Sequence, residues 1–147
     1  MPYEIDPYDD TRHRNQVISL WVAVFGYEAN HNAPDLVIDK KLAVDDDLFF
    51  VAIDNGSVIG TVMAGYDGHR GWIYSMAVST DYRKRGIGSK LLSFIEKKLS
   101  ECGCMKINLQ IMEGNEAVEH FYAANGYLTE KRISMGKQVR QNIDRYD

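Results

Sequence analysis

The sequence predicts an α/β (α+β) fold, with one domain over residues 1–147 in which helices pack on a mixed sheet. Between residues 48 and 78, three apolar runs are separated by turn sequences, as in an antiparallel meander of strands. A strand, a helix and another strand then follow, and such a unit adds a parallel strand through a right-handed crossover. The 147 residues, 45% of them hydrophobic, are enough for one substantial core.

The elements before the meander are predicted to be a short strand and two helices. Residues 3–5 can form the opening strand. Asp10 and Thr11 can cap a helix, in which apolar residues recur at helical spacing until Gly26 ends the run. A second helix is predicted to begin at Pro34, since proline is favoured in the first turn of a helix.

The meander itself is defined by its turns. Leu48–Ile53 is a short, continuous apolar run, and the Asn55-Gly56 pair that follows is a strong hairpin signal. Val58–Tyr66 is the returning strand. A second polar turn leads into a third strand, Trp72–Val78.

A polar loop separates the meander from a helix whose apolar residues, within 87–99, fall on one face. Lys106–Ile111 alternates as a strand. Asn115 can cap a short helix that runs through Ala124. The chain from Tyr127 onward is predicted to form a last strand or a pair of strands.

Charge and composition exclude several classes of protein. The net charge is −4, whereas a non-specific nucleic-acid binder is normally basic. No apolar run approaches the roughly 20 residues of a membrane span, and Met1–Asp6 carries acids instead of a signal sequence. We therefore expect a cytoplasmic protein without nucleic-acid or membrane partners. Cys102 and Cys104 are too few for a metal site, so we expect free thiols and no metal.

The most informative stretch is the loop Arg83-Lys84-Arg85-Gly86-Ile87-Gly88, between a predicted strand and a predicted helix. At the start of a helix the first backbone N–H groups lack intrahelical partners, and the helix dipole is positive there. Glycines let a ligand approach the backbone closely. With three cationic side chains added, the loop is typical of a phosphate or diphosphate site. A solvated basic turn is the alternative.

Two motifs give the chain a resemblance to a known family. Met76-Ala77-Val78 precedes a loop with the pattern R-x-x-G-x-G, at Arg83, Gly86 and Gly88. Further on come Asn115, Ala117, Phe121-Tyr122 and Asn125-Gly126-Tyr127. The P-loop pattern is absent, and leucine at position 91 breaks the dinucleotide fingerprint. In these motifs, over residues 48 to 130, the chain resembles the GNAT N-acyltransferases.

This resemblance implies a mixed, mostly antiparallel central sheet of about six to seven strands flanked by about four helices. It also implies acetyl-CoA as co-substrate and an amine as acceptor. The diphosphate would bind the backbone of the glycine loop, and the pantetheine arm would run along the third meander strand, where that strand splays from the next. The implied cofactor-binding residues are Met76, Ala77, Val78, Arg83, Lys84, Arg85, Gly86, Ile87, Gly88, Ser89, Asn115 and Tyr122.

For catalysis, Tyr122 occupies the family's tyrosine position and is the candidate general acid; a core aromatic is the alternative. A free alkyl amine is mostly protonated at neutral pH, so a base or a desolvated site must deprotonate it. Glu113 is the leading candidate base, with three alternatives. In a related subfamily a catalytic glutamate stands where this chain has Gln110, which cannot act as a base. The alternative bases are Asp67, His69 and Tyr74.

Other functions stay open on the sequence alone. The early aromatics Trp21 and Phe25 fit either a helix core or an acceptor pocket. The loop residues Tyr27, Glu28 and His31 are freer to touch substrate. Without an identified base, a non-catalytic acyl-CoA sensor with this fold is the main alternative to an N-acetyltransferase. The short C-terminal part also leaves a homodimer possible, in which a partner supplies a closing strand.

Overall fold

The computed structural model describes residues 3–26 and 29–139. The chain divides into two compact units, Met1–Leu109 and Gln110–Asp147. The prediction of one domain over residues 1–147 stays a prediction. From the first strand to the helix that ends at Ala124, helices and strands follow the order that the sequence predicts.

A sheet of five strands forms the centre of the first unit. Its strands are neighbours in chain order, and every adjacent pair is antiparallel except the last, which is parallel. The sheet is therefore an antiparallel meander extended by one crossover strand, as predicted. The strands are β1 (Glu4–Pro7), β2 (Phe49–Asp54), β3 (Ser57–Tyr66), β4 (Gly71–Val78) and β5 (Ile107–Leu109).

The described residues contain four α-helices, the number that the resemblance implies. The first three belong to the first unit and the fourth to the second. The helices are α1 (Asp10–Phe25), α2 (Pro34–Val44), α3 (Ile87–Glu101) and α4 (Glu116–Ala124). The predicted cap of α1 is wrong: the side chain of Asp9, not Asp10 or Thr11, accepts the first free N–H groups of the helix. Asp9 is in an extended conformation, which is the geometry that an N-cap requires.

Helices cover both faces of the sheet. Trp21 of α1 contacts Thr61, whereas Leu91 of α3 approaches the neighbouring Gly60. Because successive residues of a strand point to opposite faces, α1 and α3 lie on opposite faces of β3. A Cβ at position 60 would stand 2.9 Å from Leu91 Cδ1 and 3.1 Å from the Ala77 carbonyl oxygen. Glycine at this position therefore allows α3 to pack closely on the sheet.

The predicted strand count is too high. Within residues 3–26 and 29–139 the structure has five strands, not six to seven. The fifth is limited to Ile107–Leu109, shorter than the predicted Lys106–Ile111. The predicted strand after Tyr127 is absent up to Val139. Apolar side chains in this segment, such as Leu128 and Ile133, are about nine-tenths exposed, so no core contact stabilises a strand there.

Candidate active site

A bulge interrupts β4 near its middle. Thr61 pairs with Ala77, but Met63 pairs with Tyr74, so Val62 alone lies opposite two residues, Ser75 and Met76. Ser75 has a φ of 51°, in the left-handed region. That conformation costs a residue with a side chain about 1–2 kcal/mol. Bulges bend a strand and release ladder hydrogen bonds, and they are common beside active sites.

The edge of β4 opens at the same place. β5 pairs with β4 only at Gly71, Trp72 and Ile73, although β4 continues to Val78. In the described part of the chain, residues 74–78 have no partner in β5. This is the divergence of strands that the resemblance implies. An extended ligand can bind along such an edge as an added strand.

A buried chain of hydrogen bonds ties α1 to the bulge. The indole Nε1–H of Trp21 donates to Thr61 Oγ1 at 2.8 Å, and the Thr61 hydroxyl donates to the Ser75 carbonyl oxygen at 2.9 Å. Trp21 is 4% exposed and Thr61 is fully buried. Trp21 thus belongs to the core, one of the two interpretations that the sequence allows.

The loop after β4 is fastened to the sheet. The N–H of Ser79 donates to the Ile59 carbonyl oxygen at 2.8 Å, and the Tyr82 hydroxyl donates to Asp54 Oδ2 at 2.9 Å. The hydrogen bond to Asp54 raises the pKa of Tyr82 above its usual value. The Arg85 guanidinium lies 5.2 Å from the centre of the Tyr82 ring, within the range of a cation–π interaction.

The start of α3 presents free amides. Gly86 is the N-cap, with a φ of 80° that glycine adopts readily, and it has no side chain to cap the helix. The first intrahelical bond of this turn runs from the Lys90 N–H to the Gly86 carbonyl oxygen at 3.1 Å. The N–H groups of residues 86–89 precede it and have no intrahelical acceptor. The side chains of Arg83, Lys84 and Arg85 are exposed. An anion would find amides, cations and the positive helix end together.

Three other residues that the resemblance assigns to the loop, Ile87, Gly88 and Ser89, are less exposed than the cationic side chains. Ile87 is buried at 1% exposure and anchors the helix start in the core. Gly88 and Ser89 follow it in the first turn, half-buried. Arg83 Nε also donates to the Val78 carbonyl oxygen at 3.4 Å, which holds that side chain against the end of β4.

The second unit holds the candidate acid. Tyr122 lies on α4 and is 7% exposed, with its ring 5.0 Å from Phe121 and 5.6 Å from Tyr127 between ring centres. Burial raises the pKa of Tyr122 to about 12. Asn115 caps α4, where its Oδ1 accepts the Val118 N–H at 3.4 Å. Sequence patterns predicted this capping role correctly.

The candidate bases have different environments. Asp67 accepts the backbone N–H groups of His69 and Arg70 at 2.8 and 2.7 Å, and the Arg70 bond above all lowers the pKa of this carboxyl. Such a carboxylate is a weak base. Tyr74 is 40% exposed on β4, with its ring centre 5.4 Å from Lys41 Nζ. Glu113 is exposed in the turn before α4.

The sequence also suggests four residues that could contact the acceptor: Phe25, Tyr27, Glu28 and His31. Phe25 is 45% exposed at the end of α1, and His31 is exposed. Tyr27 and Glu28 lie outside the described residues. Sequence reasoning missed Thr61, Ser75 and Asp54. A threonine inside the apolar run 58–64 was the available signal, because a buried hydroxyl requires hydrogen-bond partners.

A metal site and a membrane-spanning helix each place requirements on the described residues. Over 3–26 and 29–139, no group of three or more His, Cys, Asp or Glu side chains is placed to hold a metal ion. Cys102 and Cys104 are both free thiols. In the same ranges no helix combines the length and apolarity needed to span a membrane.

The geometry is that of an α/β protein whose third helix begins beside an open strand edge with uncapped amides and cationic side chains, and comparisons with known proteins define its family. The family model "Acetyltransferase (GNAT) family" matches residues 14–127. An acetyltransferase of Yersinia pestis (strain Pestoides F) is 45% identical over 108 residues, which are 74% of this chain and 77% of the relative. The chain belongs to the GNAT family, and it is an N-acetyltransferase.

Solved structures agree with this assignment. The NatC complex bound to Gag peptide and CoA contains a chain with a TM-score of 0.77 and 26% identity, covering 90% of this chain and 89% of that one. The aminoglycoside acetyltransferase AAC(6')-Iy, solved with a bisubstrate analogue, has a TM-score of 0.74 at 17% identity and covers 94% and 99%. The second similarity concerns the fold alone.

Proposed function

We propose that this chain transfers the acetyl group of acetyl-CoA to a primary amine by direct attack of the amine on the thioester. The observation that carries the proposal is the exposed start of α3, with free amides and cationic side chains directly after a bulged strand. The related NatC complex is described with CoA bound, which supports the same donor here.

The chain's own groups are suited to bind acetyl-CoA, the acetyl donor. The amides of residues 85–89 suit a diphosphate, and the side chains of Arg83 and Lys84 add positive charge. The open edge of β4, at Met76, Ala77 and Val78, suits a pantetheine arm, whose amides can pair with a strand backbone. We assign Asn115 to the same arm, as the resemblance implies.

At the reacting carbon, the chain must stabilise negative charge and supply a proton. We assign the Met76 N–H as the donor to the oxyanion that develops on the thioester oxygen. We assign Tyr122 as the general acid that protonates the departing thiolate. A phenol with a pKa of about 12 is protonated at neutral pH, so the proton is in place before the reaction.

The amine must lose a proton before it attacks. Alkyl amines resemble lysine, with a pKa near 10.4. We assign Glu113 as the base, acting directly or through a water. Tyr74 is the second candidate, because it lies on β4 next to the bulge and is solvent-accessible. The lowered pKa of Asp67 argues against that carboxylate.

Several acceptors are compatible with the family. The structural relatives are described with a peptide in NatC and with an acetylneamine bisubstrate in AAC(6')-Iy. Peptide N-termini, aminoglycosides, amino acids and polyamines therefore form the panel to test. A cytoplasmic location and a homodimer remain part of the proposal. A non-catalytic acyl-CoA sensor is the competing function; it would bind acetyl-CoA and release no thiol with any amine.

Gly86→Glu tests the donor site. Nothing lies within 4 Å of a Cβ at this position, so the added side chain projects into the space assigned to the diphosphate. Its negative charge and the strain of a positive φ should abolish CoA binding in isothermal titration calorimetry. Gly68→Glu is the matched control. Gly68 also has a positive φ, 93°, and open surroundings, but it lies in the β3–β4 turn. Normal CoA affinity in Gly86→Glu would disprove the assignment.

A further inference from the structure

We propose that Trp21 and Thr61 are positioning residues for the acetyl transfer. Their buried hydrogen bonds hold the Ser75–Met76 peptide so that the Met76 N–H faces the open edge of β4. This inference rests on the proposed function, because that function assigns the oxyanion contact to the Met76 N–H. Neither side chain belongs to the motifs that identify the family.

The direction of the hydrogen bonds is fixed by chemistry. An indole N–H can only donate, so Thr61 Oγ1 must be the acceptor in its 2.8 Å contact with Trp21. A hydroxyl has one hydrogen, and Thr61 donates it to the Ser75 carbonyl oxygen at 2.9 Å. Thr61 is fully buried, so its bond to Trp21 is shielded from water, and its bond to Ser75 is partly shielded. The Ser75 carbonyl is therefore held toward Thr61.

That carbonyl sets the direction of the next amide. The peptide is planar and trans, and no cis peptide bond occurs in the described residues. In a trans peptide the carbonyl and the following N–H point in opposite directions. With the Ser75 carbonyl turned toward Thr61 of β3, the Met76 N–H is turned away from β3. On that side, pairing with β5 has already ended at Ile73, so the N–H meets an open edge.

The β3–β4 ladder is irregular at this peptide. The register between β3 and β4 shifts at this position, with Val62 alone opposite Ser75 and Met76. Ser75 also has a φ of 51°, which a residue with a side chain keeps only where its surroundings impose it. The Thr61 side chain supplies the bond that a strand neighbour supplies elsewhere. Trp21 orients the hydroxyl from α1, so the first helix is coupled to the reacting amide.

Thr61→Val tests the role of the hydroxyl, because valine has nearly the same shape. Thiol release is measured with the best amine of the panel, and the dissociation constant of CoA by calorimetry. CoA lacks the thioester oxygen, so its affinity should change less than about twofold. We expect kcat to fall by about tenfold or more, since the loss of one oxyanion donor costs 10²–10³-fold in other enzymes. Thr61→Ser, which restores a hydroxyl, should restore most of the turnover.

Two further variants separate positioning from general destabilisation. Val17→Ala removes two fully buried methyl groups from α1 and no hydrogen-bonding group, and it should leave kcat unchanged. Trp21→Phe removes the donor to Thr61 and should lower kcat, which keeps the test available if Thr61→Val does not fold. Wild-type kcat in a folded Thr61→Val or Trp21→Phe variant would overturn the proposal. A wild-type protein that neither binds CoA nor releases thiol would instead refute the proposed function.

Discussion

Tyr122 combines two properties that a proton donor needs. Its ring is packed against Phe121 and Tyr127, which fixes its orientation, and its burial raises the pKa to about 12. At neutral pH nearly every molecule therefore carries the phenolic proton. The same burial also fits the core aromatic that the sequence left as the alternative. Only a kinetic measurement separates the two roles.

Tyr122→Phe keeps the ring and removes the proton. We expect kcat for thiol release to fall by about a hundredfold, the usual contribution of a general acid, with CoA affinity within about twofold of wild type. Tyr127→Phe is the matched control, because it removes a hydroxyl from the adjacent ring. If Tyr122→Phe turned over at the wild-type rate, the tyrosine would have no part in proton transfer.

The residue scale also sets the limit of sequence reasoning. The glycine loop was predictable, since Gly86 and Gly88 leave no side chain between the backbone and a ligand. The conformation of Ser75 was not. A serine with a positive φ has no local sequence signature, and the hydrogen bond that its carbonyl accepts comes from Thr61, fourteen residues away in the chain. The catalytic amide assigned to Met76 depends on that conformation.

Among the elements, α1 has an unusual N-terminus. The Asp9 carboxylate accepts N–H groups of the first turn, while His13 Nδ1 accepts the backbone N–H of Asp9 at 2.9 Å. The Asp9 side chain thus caps the N–H groups of Thr11 and Arg12, and the His13 side chain caps the Asp9 N–H, in an arrangement similar to a capping box. Burial, followed by the charge of Arg12, lowers the pKa of His13, and Asp9 and Asp6 oppose this. The nitrogen that accepts must be unprotonated.

The stability of the protein should depend on pH through His13. In the unfolded chain His13 titrates near pH 6.5, whereas the folded protein resists its protonation. Below that pH the unfolded state binds more protons, so the free energy of unfolding falls as the pH decreases. The difference in Tm between wild type and His13→Gln should therefore shrink from pH 8 to pH 5. A difference that stayed constant would contradict this prediction, since the other histidines are common to both proteins.

Strands were predicted well where a short turn sequence marks the end of one strand and the start of the next. Asn55-Gly56 defined the β2–β3 hairpin, and β2, β3 and β4 begin and end within one residue of the predicted bounds. β5 was predicted too long, because alternation persists in sequence beyond Leu109, where its pairing with β4 ends. After Tyr127 the apolar residues have no packing partner in the described chain. Strand formation there depends on pairing, which a single sequence does not reveal.

For the whole molecule, ligand binding provides a direct measure of function. Acetyl-CoA at about 100 times its Kd should add about 2.7 kcal/mol to the free energy of unfolding. For a domain of this size, that corresponds to a rise in Tm of about 5–10 °C in a thermal-shift experiment. Gly86→Glu should show no rise. If neither acetyl-CoA nor longer acyl-CoAs shifted the wild-type Tm, both the enzyme and the sensor functions would be refuted.

The glycine at position 60 has a consequence for catalysis beyond packing. It pairs with Val78 at the end of β4 and touches Leu91 in the second turn of α3. One small residue thus sets the spacing between the helix start and the bulge. In the proposed complex these two points hold the two ends of the pantetheine arm, the diphosphate at the helix start and the thioester at the bulge. A bulkier residue at this position would change the span between these points and place the thioester out of register, although it would touch neither end.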